Sequence, residues 1–282
     1  MSSCTTSHPG GRSWRRIRWI GDYTLYVIPG SHACRAAILM LEHKGLPYRV
    51  VEFVTLTHPV MSRLHGFDAG GETRIAGRHR TLGIRLGDRL GTVPGLKADG
   101  RRISTNRGIA RFLDERHPDP PLLPADPAQR AAVEEAEAWA NEHLQMQARR
   151  ILGISAARDP ERFSRDVGDG RMGYLLYRSE RVRRLIIPRI LTRVFAVKRR
   201  EDDELLDDLR AMLDRIDAWI EQGVIGGEQP NAADLMIAPS LALILYRPDV
   251  RPLFEGRPAL ALVDRFLPEP ASSPGPAAAQ PA

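Results

Sequence analysis

The pattern of apolar positions opens with a short run of β-favouring residues, Tyr23–Ile28. A Pro-Gly pair interrupts that run, and His32–Lys44 then carries apolar residues at helical spacing. Ser31 stands before this stretch as a cap, and Gly45 follows it as a stop. A second β-rich run occupies Tyr48–Leu56. The order predicts a βαβ unit with parallel strands and a right-handed crossover.

The segment 57–90 has no sustained period and is rich in glycine, arginine and histidine. We predict a long cationic loop that holds one short helix near His58–His65. A loop of this length inside a compact domain is usually functional.

The stretch 91–113 changes pattern several times within a short distance. Val93-Pro94 is an X-Pro step, and an Asp-Gly pair between two strand-like runs predicts a β-hairpin. Thr105 and Asn106 stand directly before a helical pattern, where they predict a capped helix. The beginning of such a helix suits a carboxylate or a phosphate, because its backbone N–H groups are free and its dipole is positive there. The alternative for this stretch is an ordinary hairpin followed by a capped helix.

The chain turns helical after a proline-rich linker at 117–127. Asn231 and Asp234 form a variant capping box, and Pro188 is expected to kink the helix that contains it. The stretch Ile151–Gly173 has a weaker pattern. The helices that the spacing predicts are Ala128–Arg150, Tyr174–Lys198, Glu201–Gln222 and Leu235–Tyr246.

These elements predict an α+β fold with two domains. A thioredoxin-like N-terminal domain is expected over 21–117, and an all-α C-terminal domain over 118–267. We expect a disordered basic arm at 1–20 and a disordered, low-complexity tail at 268–282.

Composition narrows the function classes. The 282 residues carry a net charge of +6, which permits anionic ligands without choosing among them. The two cysteines, Cys4 and Cys34, do not suggest a structural disulfide, so we expect a cytoplasmic protein. We see no apolar run that spans a bilayer, no phosphate loop, no nucleophile elbow and no metal motif, and we expect no metal and no nucleic-acid partner.

Four motifs stand out along the chain. They are Ser31-His-Ala-Cys34-Arg35-Ala36, Thr92-Val93-Pro94, Thr105-Asn106-Arg107-Gly108-Ile109 and Asn231-Ala-Ala-Asp234. Over roughly residues 22–250 they resemble, in order, motifs of the soluble glutathione transferase superfamily. The first is similar to the Ser-x-x-Cys-Arg-Ala start of the first helix in theta-like members, and the second to the family's cis-proline step. The third stands in the place of Glu/Asp-Ser-x-Ala-Ile, and the fourth is similar to the capping box of the helical domain.

The resemblance implies that glutathione is a co-substrate. Ser31 is then the catalytic residue, which donates a hydrogen bond to the glutathione sulfur and stabilises the thiolate. Val93 and Pro94 would bind the cysteinyl part, and Thr105 and Asn106 the γ-glutamyl carboxylate. The thiolate would attack a small apolar electrophile, and the family resemblance also implies a homodimer. In the third motif, Thr105 stands where the family has an acidic residue. This replacement removes an ion pair with the α-amino group of glutathione.

Other interpretations of these residues remain open. Ser31 also fits a plain helix cap, and Cys34 fits a buried, inert thiol. The protein is alternatively a non-catalytic binding module of the same fold that docks an acidic protein or a membrane surface. In that case the cationic 57–90 loop and the basic 178–200 region are the contact surfaces, with a weak membrane contact as one outcome.

Overall fold

The computed structural model describes residues 23–54, 57–68, 90–166, 171–172, 180–195 and 202–269. The predicted arm at 1–20 lies outside the described residues, as do 69–89 of the predicted loop and all but the first two residues of the predicted tail. No helix among the described residues is both long enough and apolar enough to span a membrane.

The described residues contain one mixed sheet with the strand order β2-β1-β3-β4. β1 and β2 run parallel, as predicted, whereas β3 is antiparallel to β1 and β4 is antiparallel to β3. The predicted second strand is shorter than expected and ends at Glu52. The strands are β1 Thr24–Val27, β2 Arg49–Glu52, β3 Gly95–Ala98 and β4 Arg101–Ser104.

Helix α1, His32–His43, connects β1 to β2. Gly45 ends it with a φ of +63°, a conformation that glycine adopts without the penalty of a Cβ. The predicted short helix is present as α2, His58–Leu64. The β3–β4 hairpin turns through an Asp-Gly pair with positive φ at both residues, as predicted, and α3 covers Asn106–Arg116.

The remainder of the described chain is helical. It contains a π-helical turn at Ala140–Leu144 and a 3₁₀ helix at Pro248–Leu253. Its α-helices are α4 Pro127–Trp139, α5 Gln145–Arg158, α6 Pro160–Asp166, α7 Glu180–Leu185, α8 Ile187–Val194, α9 Asp202–Glu221, α10 Ala232–Ile244 and α11 Pro258–Phe266.

Helix α10 is the centre of the core, since every one of its residues is buried. It contacts α1 and α3 of the first domain and α4, α5 and α11 of the second, so that one apolar core runs through both domains. The predicted capping box starts this helix. Asn231 Oδ1 accepts from Asp234 N at 3.2 Å, and Asp234 Oδ2 accepts from Asn231 N at 2.9 Å.

The linker between the domains is held by the buried ammonium group of Lys44. Its Nζ donates to Asp114 Oδ1 at 2.6 Å and to the backbone oxygens of His117 at 2.6 Å and Pro120 at 2.5 Å. The Asp114 carboxylate also accepts from the backbone N–H groups of Leu122 and Leu123 at 2.7 and 2.8 Å. One ion pair therefore fixes the end of α1, α3 and the linker to one another.

Two predicted helices differ from the structure. The helix expected over Ala128–Arg150 is interrupted by the π turn and continues to Arg158. Ile151 and Ile154 are buried, and this packing outweighs the low helix propensity of Gly153.

The helix predicted over Tyr174–Lys198 is broken next to Pro188, the residue expected to kink it. The break lies at Ile186, and Pro188 falls in the first turn of α8, where a missing N–H costs no helical hydrogen bond. Residues 174–179 and 196–198 of that prediction lie outside the described chain.

Candidate functional site

The register of the sheet brings three segments of the predicted site to the same end of the sheet. Tyr26 near the end of β1 lies opposite Gly95 at the start of β3, and Gly95 lies opposite Ser104 at the end of β4. Ser31 follows the end of β1, Val93-Pro94 precedes the start of β3, and Thr105 follows the end of β4. Segments far apart in the sequence therefore border the same end of the sheet.

Ser31 caps α1 and is partly exposed. Its hydroxyl oxygen accepts from Cys34 N at 3.3 Å, and the hydroxyl also hydrogen-bonds the Cys34 sulfur, a partner that a ligand anion would replace. The backbone N–H groups of the first turn and the helix dipole both favour negative charge at this point. The position suits a hydrogen bond to an anion that approaches α1 along its axis.

The peptide bond between Val93 and Pro94 is cis, as the resemblance implies, and both residues are buried. Ser62 of α2 supports the segment, since its hydroxyl donates to Thr92 O at 3.2 Å. Gly95 leaves no room for a side chain, because a Cβ there would lie 2.8 Å from the Phe67 ring. Sequence reasoning missed Ser62 and Phe67, and no local motif could have revealed either.

Thr105 has a strained backbone, with φ +67° and ψ 151°. Few residues other than glycine adopt this conformation, which costs of the order of 1–3 kcal/mol and clusters at ligand sites. Thr105 Oγ1 accepts from Gly108 N at 3.1 Å and so caps α3. The Thr105 cap and the first N–H groups of α3 lie at the same end of the sheet as the other two segments.

Asn106 is 5 % exposed, and among the described residues its Oδ1 has no hydrogen-bond partner. An unpaired buried amide oxygen is costly, and this one is closed to solvent, so a ligand can donate a hydrogen bond to it only after neighbouring side chains move. Behind it, Arg111 Nη1 lies 2.6 Å from Glu137 Oε2, and Arg107 Nε lies 3.4 Å from the same atom. Burial raises the pKa of Glu137, although both guanidinium groups act in the opposite direction.

Solved structures share this architecture at low sequence identity. A glutathione S-transferase of Ceriporiopsis subvermispora, solved in complex with glutathione, is 19% identical over 86% of this chain and 97% of its own, with a TM-score of 0.53. The β-etherase LigF from Sphingobium sp. strain SYK-6 is 20% identical over 87% and 94%, also at 0.53. FzlA from C. crescentus is 19% identical over 87% of each chain, at 0.52.

The protein has the glutathione S-transferase fold. This confirms the predicted fold class, a thioredoxin-like domain followed by a helical domain. No family model and no curated protein matches the sequence.

Within this glutathione S-transferase fold, Cys34 lies fully inside the protein beside Ser31. Burial raises the pKa of the Cys34 thiol to about 11, although hydrogen bonds with Ser31 and with the Ile28 backbone act in the other direction. The Cys34 thiol is therefore protonated at neutral pH, which agrees with the expectation of an inert thiol.

Helix α5 of the helical domain lies beside the first turn of α1 and brings side chains there that sequence reasoning missed. His32 is 3 % exposed, and burial lowers its pKa well below the usual range, so the ring is neutral at pH 7. Its side chain is hydrogen-bonded to Gln145, which accepts from Arg149 Nη2 at 3.2 Å. Desolvation lowers the pKa of Arg149 to about 10, and the positive charge of Arg149 acts to lower the pKa of the Cys34 thiol. Only the fold brings these α5 residues to the first turn of α1.

A groove of about 580 Å³ lies between the domain linker, the start of α4 and the turn after α9. Its walls are apolar or uncharged, and none of its lining residues belongs to the predicted site. No cluster of three or more metal-ligating side chains occurs in the described part of the chain.

Proposed function

We propose that the protein is a glutathione transferase-like enzyme, in which the thiolate of glutathione or a related thiol attacks a small apolar electrophile. The observation that carries the proposal is the convergence of three segments at one end of the sheet. They are the capped start of α1, the cis Val93-Pro94 step and the strained start of α3.

Each segment has a role in the proposed mechanism. Ser31 donates a hydrogen bond to the sulfur, and the α1 dipole favours the thiolate over the thiol, so that the thiol proton passes to solvent. The backbone at Val93-Pro94 pairs with the cysteinyl part of the extended peptide. Thr105 and the first N–H groups of α3 bind the γ-glutamyl carboxylate. The thiolate then forms a carbon–sulfur bond, and the leaving group takes the displaced electron pair.

Asn106 supplies part of what the missing acidic residue would provide. Once a local side-chain movement exposes it, its unpartnered Oδ1 accepts a hydrogen bond from the α-amino group of the ligand, as a neutral acceptor in place of a carboxylate. A hydrogen bond to a neutral acceptor is weaker than an ion pair, so we propose a lower affinity for glutathione than a carboxylate would give.

The remaining expectations belong to this proposal. The electrophile binds against the helical domain, the protein acts as a homodimer in the cytoplasm, and its biological task is detoxification. No metal takes part in the proposed reaction.

The proposal is tested first by binding. The full-length protein should be retained on immobilised glutathione and eluted by free glutathione. Loss of retention in a protein that circular dichroism shows to be folded would favour the non-catalytic module.

Activity is tested with a model electrophile. Ser31→Ala should reduce turnover by roughly 10- to 100-fold, the value of one hydrogen bond to a charged group, while glutathione retention changes little. Ser31→Thr, which keeps the hydroxyl, is the matched control. Equal turnover in wild type and Ser31→Ala would remove the assigned role.

A further inference from the structure

A row of exposed residues runs along α7 and α8 in steps of four. Arg181, Leu185, Arg189 and Arg193 are all exposed, and we call them the basic row. Residues four apart lie on neighbouring turns of one helix face. The Arg189 guanidinium donates to Leu185 O across the break between the two helices, so the row continues from α7 into α8.

The opposite side of the same helices faces the protein. Ile187 and Pro188 are buried, and Val182 and Leu191 pack against the core. α8 packs against α5, which fixes the rotation of the pair and turns the basic row outward.

The charge of this surface is one-sided. Between residues 181 and 200 the sequence has no aspartate or glutamate. The arginines that the structure places on it are Arg181, Arg184, Arg189 and Arg193. Arg184 Nη1 lies 3.8 Å from Glu161 Oε1, and the described residues place no other carboxylate within 4 Å of these arginines. The surface therefore attracts a partner with dense negative charge.

Two large aliphatic side chains stand between the arginines. Leu185 is 47% exposed and Ile186 is 49% exposed, at the break where α7 ends. The surface area of these two side chains is much smaller than the roughly 800 Å² that each partner contributes to a stable protein interface. It is large enough to enter the boundary between lipid headgroups and acyl chains, flanked by arginines at headgroup level.

We propose that the basic row, with Ile186, docks the protein on an anionic lipid surface. Leu185 and Ile186 enter the interface, and the arginines contact lipid phosphates. The proposal is independent of the glutathione site, which borders the sheet and uses none of these residues.

The test is co-sedimentation of the full-length protein with vesicles that contain phosphatidylglycerol, compared with vesicles of phosphatidylcholine alone. We expect binding to the anionic vesicles at low salt and its loss at about 0.5 M salt, where charges are screened within a few ångströms. Arg181→Gln/Arg189→Gln/Arg193→Gln should weaken binding about 100-fold, since each arginine near the surface contributes about fivefold. Leu185→Ser/Ile186→Ser should weaken it about tenfold.

Two matched variants locate the surface. Arg116→Gln/Arg130→Gln/Arg210→Gln lowers the net charge equally at exposed sites elsewhere, and Val60→Ser/Leu64→Ser removes exposed aliphatic side chains of α2. Both should bind vesicles nearly as wild type does. The proposal is overturned if wild type fails to bind anionic vesicles at low salt, or if either control loses as much binding as its counterpart. It is also overturned if an acidic polypeptide binds the protein while vesicles do not.

Discussion

The ion pair at the domain linker gives the sharpest stability prediction. The Lys44 side chain is fully buried, and its ammonium group has three oxygen partners within 2.6 Å. Lys44→Met keeps much of the aliphatic volume but leaves the Asp114 carboxylate, 17% exposed, without its cation. It also leaves the backbone oxygens of His117 and Pro120 without their donor.

The expected loss of stability follows from these lost contacts. Breaking a buried ion pair by removing one partner costs about 3–5 kcal/mol, because the remaining charge stays desolvated. Asp114 retains its two backbone donors, Leu122 N and Leu123 N, which limits the cost to the lower part of that range. We therefore expect Lys44→Met to lower the free energy of unfolding by about 3 kcal/mol.

The assay is equilibrium unfolding in urea, followed by circular dichroism and by tryptophan fluorescence so that separate unfolding of the domains is visible. Lys97→Met is the matched control, since Lys97 is exposed on β3 and should change stability by about 0.5 kcal/mol or less. If Lys44→Met costs under about 1 kcal/mol, the ion pair does not hold the linker and the reasoning fails.

Three further predictions concern residues around the site. Because the pKa of His32 is lowered on folding, stability is lost as pH falls below the unfolded value of about 6.5, by up to about 1.4 kcal/mol per pH unit. His32→Gln should flatten that slope in urea titrations at several pH values, and the exposed His143→Gln should not. Thr105→Gly should leave stability unchanged or raise it by up to about 1 kcal/mol, while weakening retention on glutathione resin; a loss of stability above 1 kcal/mol contradicts the strain. In a Cys4→Ser background, Cys34 should react with a thiol reagent at pH 7 only after denaturation, and rapid native labelling would contradict its burial.

Local patterns were sufficient for several element boundaries in both domains. The Asp-Gly hairpin, the Ser31 and Gly45 boundaries of α1 and the Asn231 capping box depend on neighbouring residues, so the sequence carries them directly. The prediction of a cis bond before Pro94 came only from the family resemblance, because an X-Pro bond by itself favours the trans form.

What sequence reasoning missed depends on contacts between distant segments. Nothing in the sequence around Glu137 marks it as buried, yet the fold buries it beside Arg107 and Arg111 of the other domain. The strain at Thr105 is likewise not predictable from the neighbouring residues. Threonine disfavours a positive φ, so the sequence gives no reason to expect one at this position. Tertiary packing imposes both features.

The central claim is that the first turn of α1 stabilises an ionised thiol. It is tested most directly by titrating the ultraviolet thiolate absorbance of glutathione bound to the protein, in wild type and in Ser31→Ala. We predict that the bound thiol ionises at least one pH unit below free glutathione in wild type, and that Ser31→Ala moves its pKa back toward the free value. An unshifted pKa for glutathione bound to the wild-type protein would contradict the account.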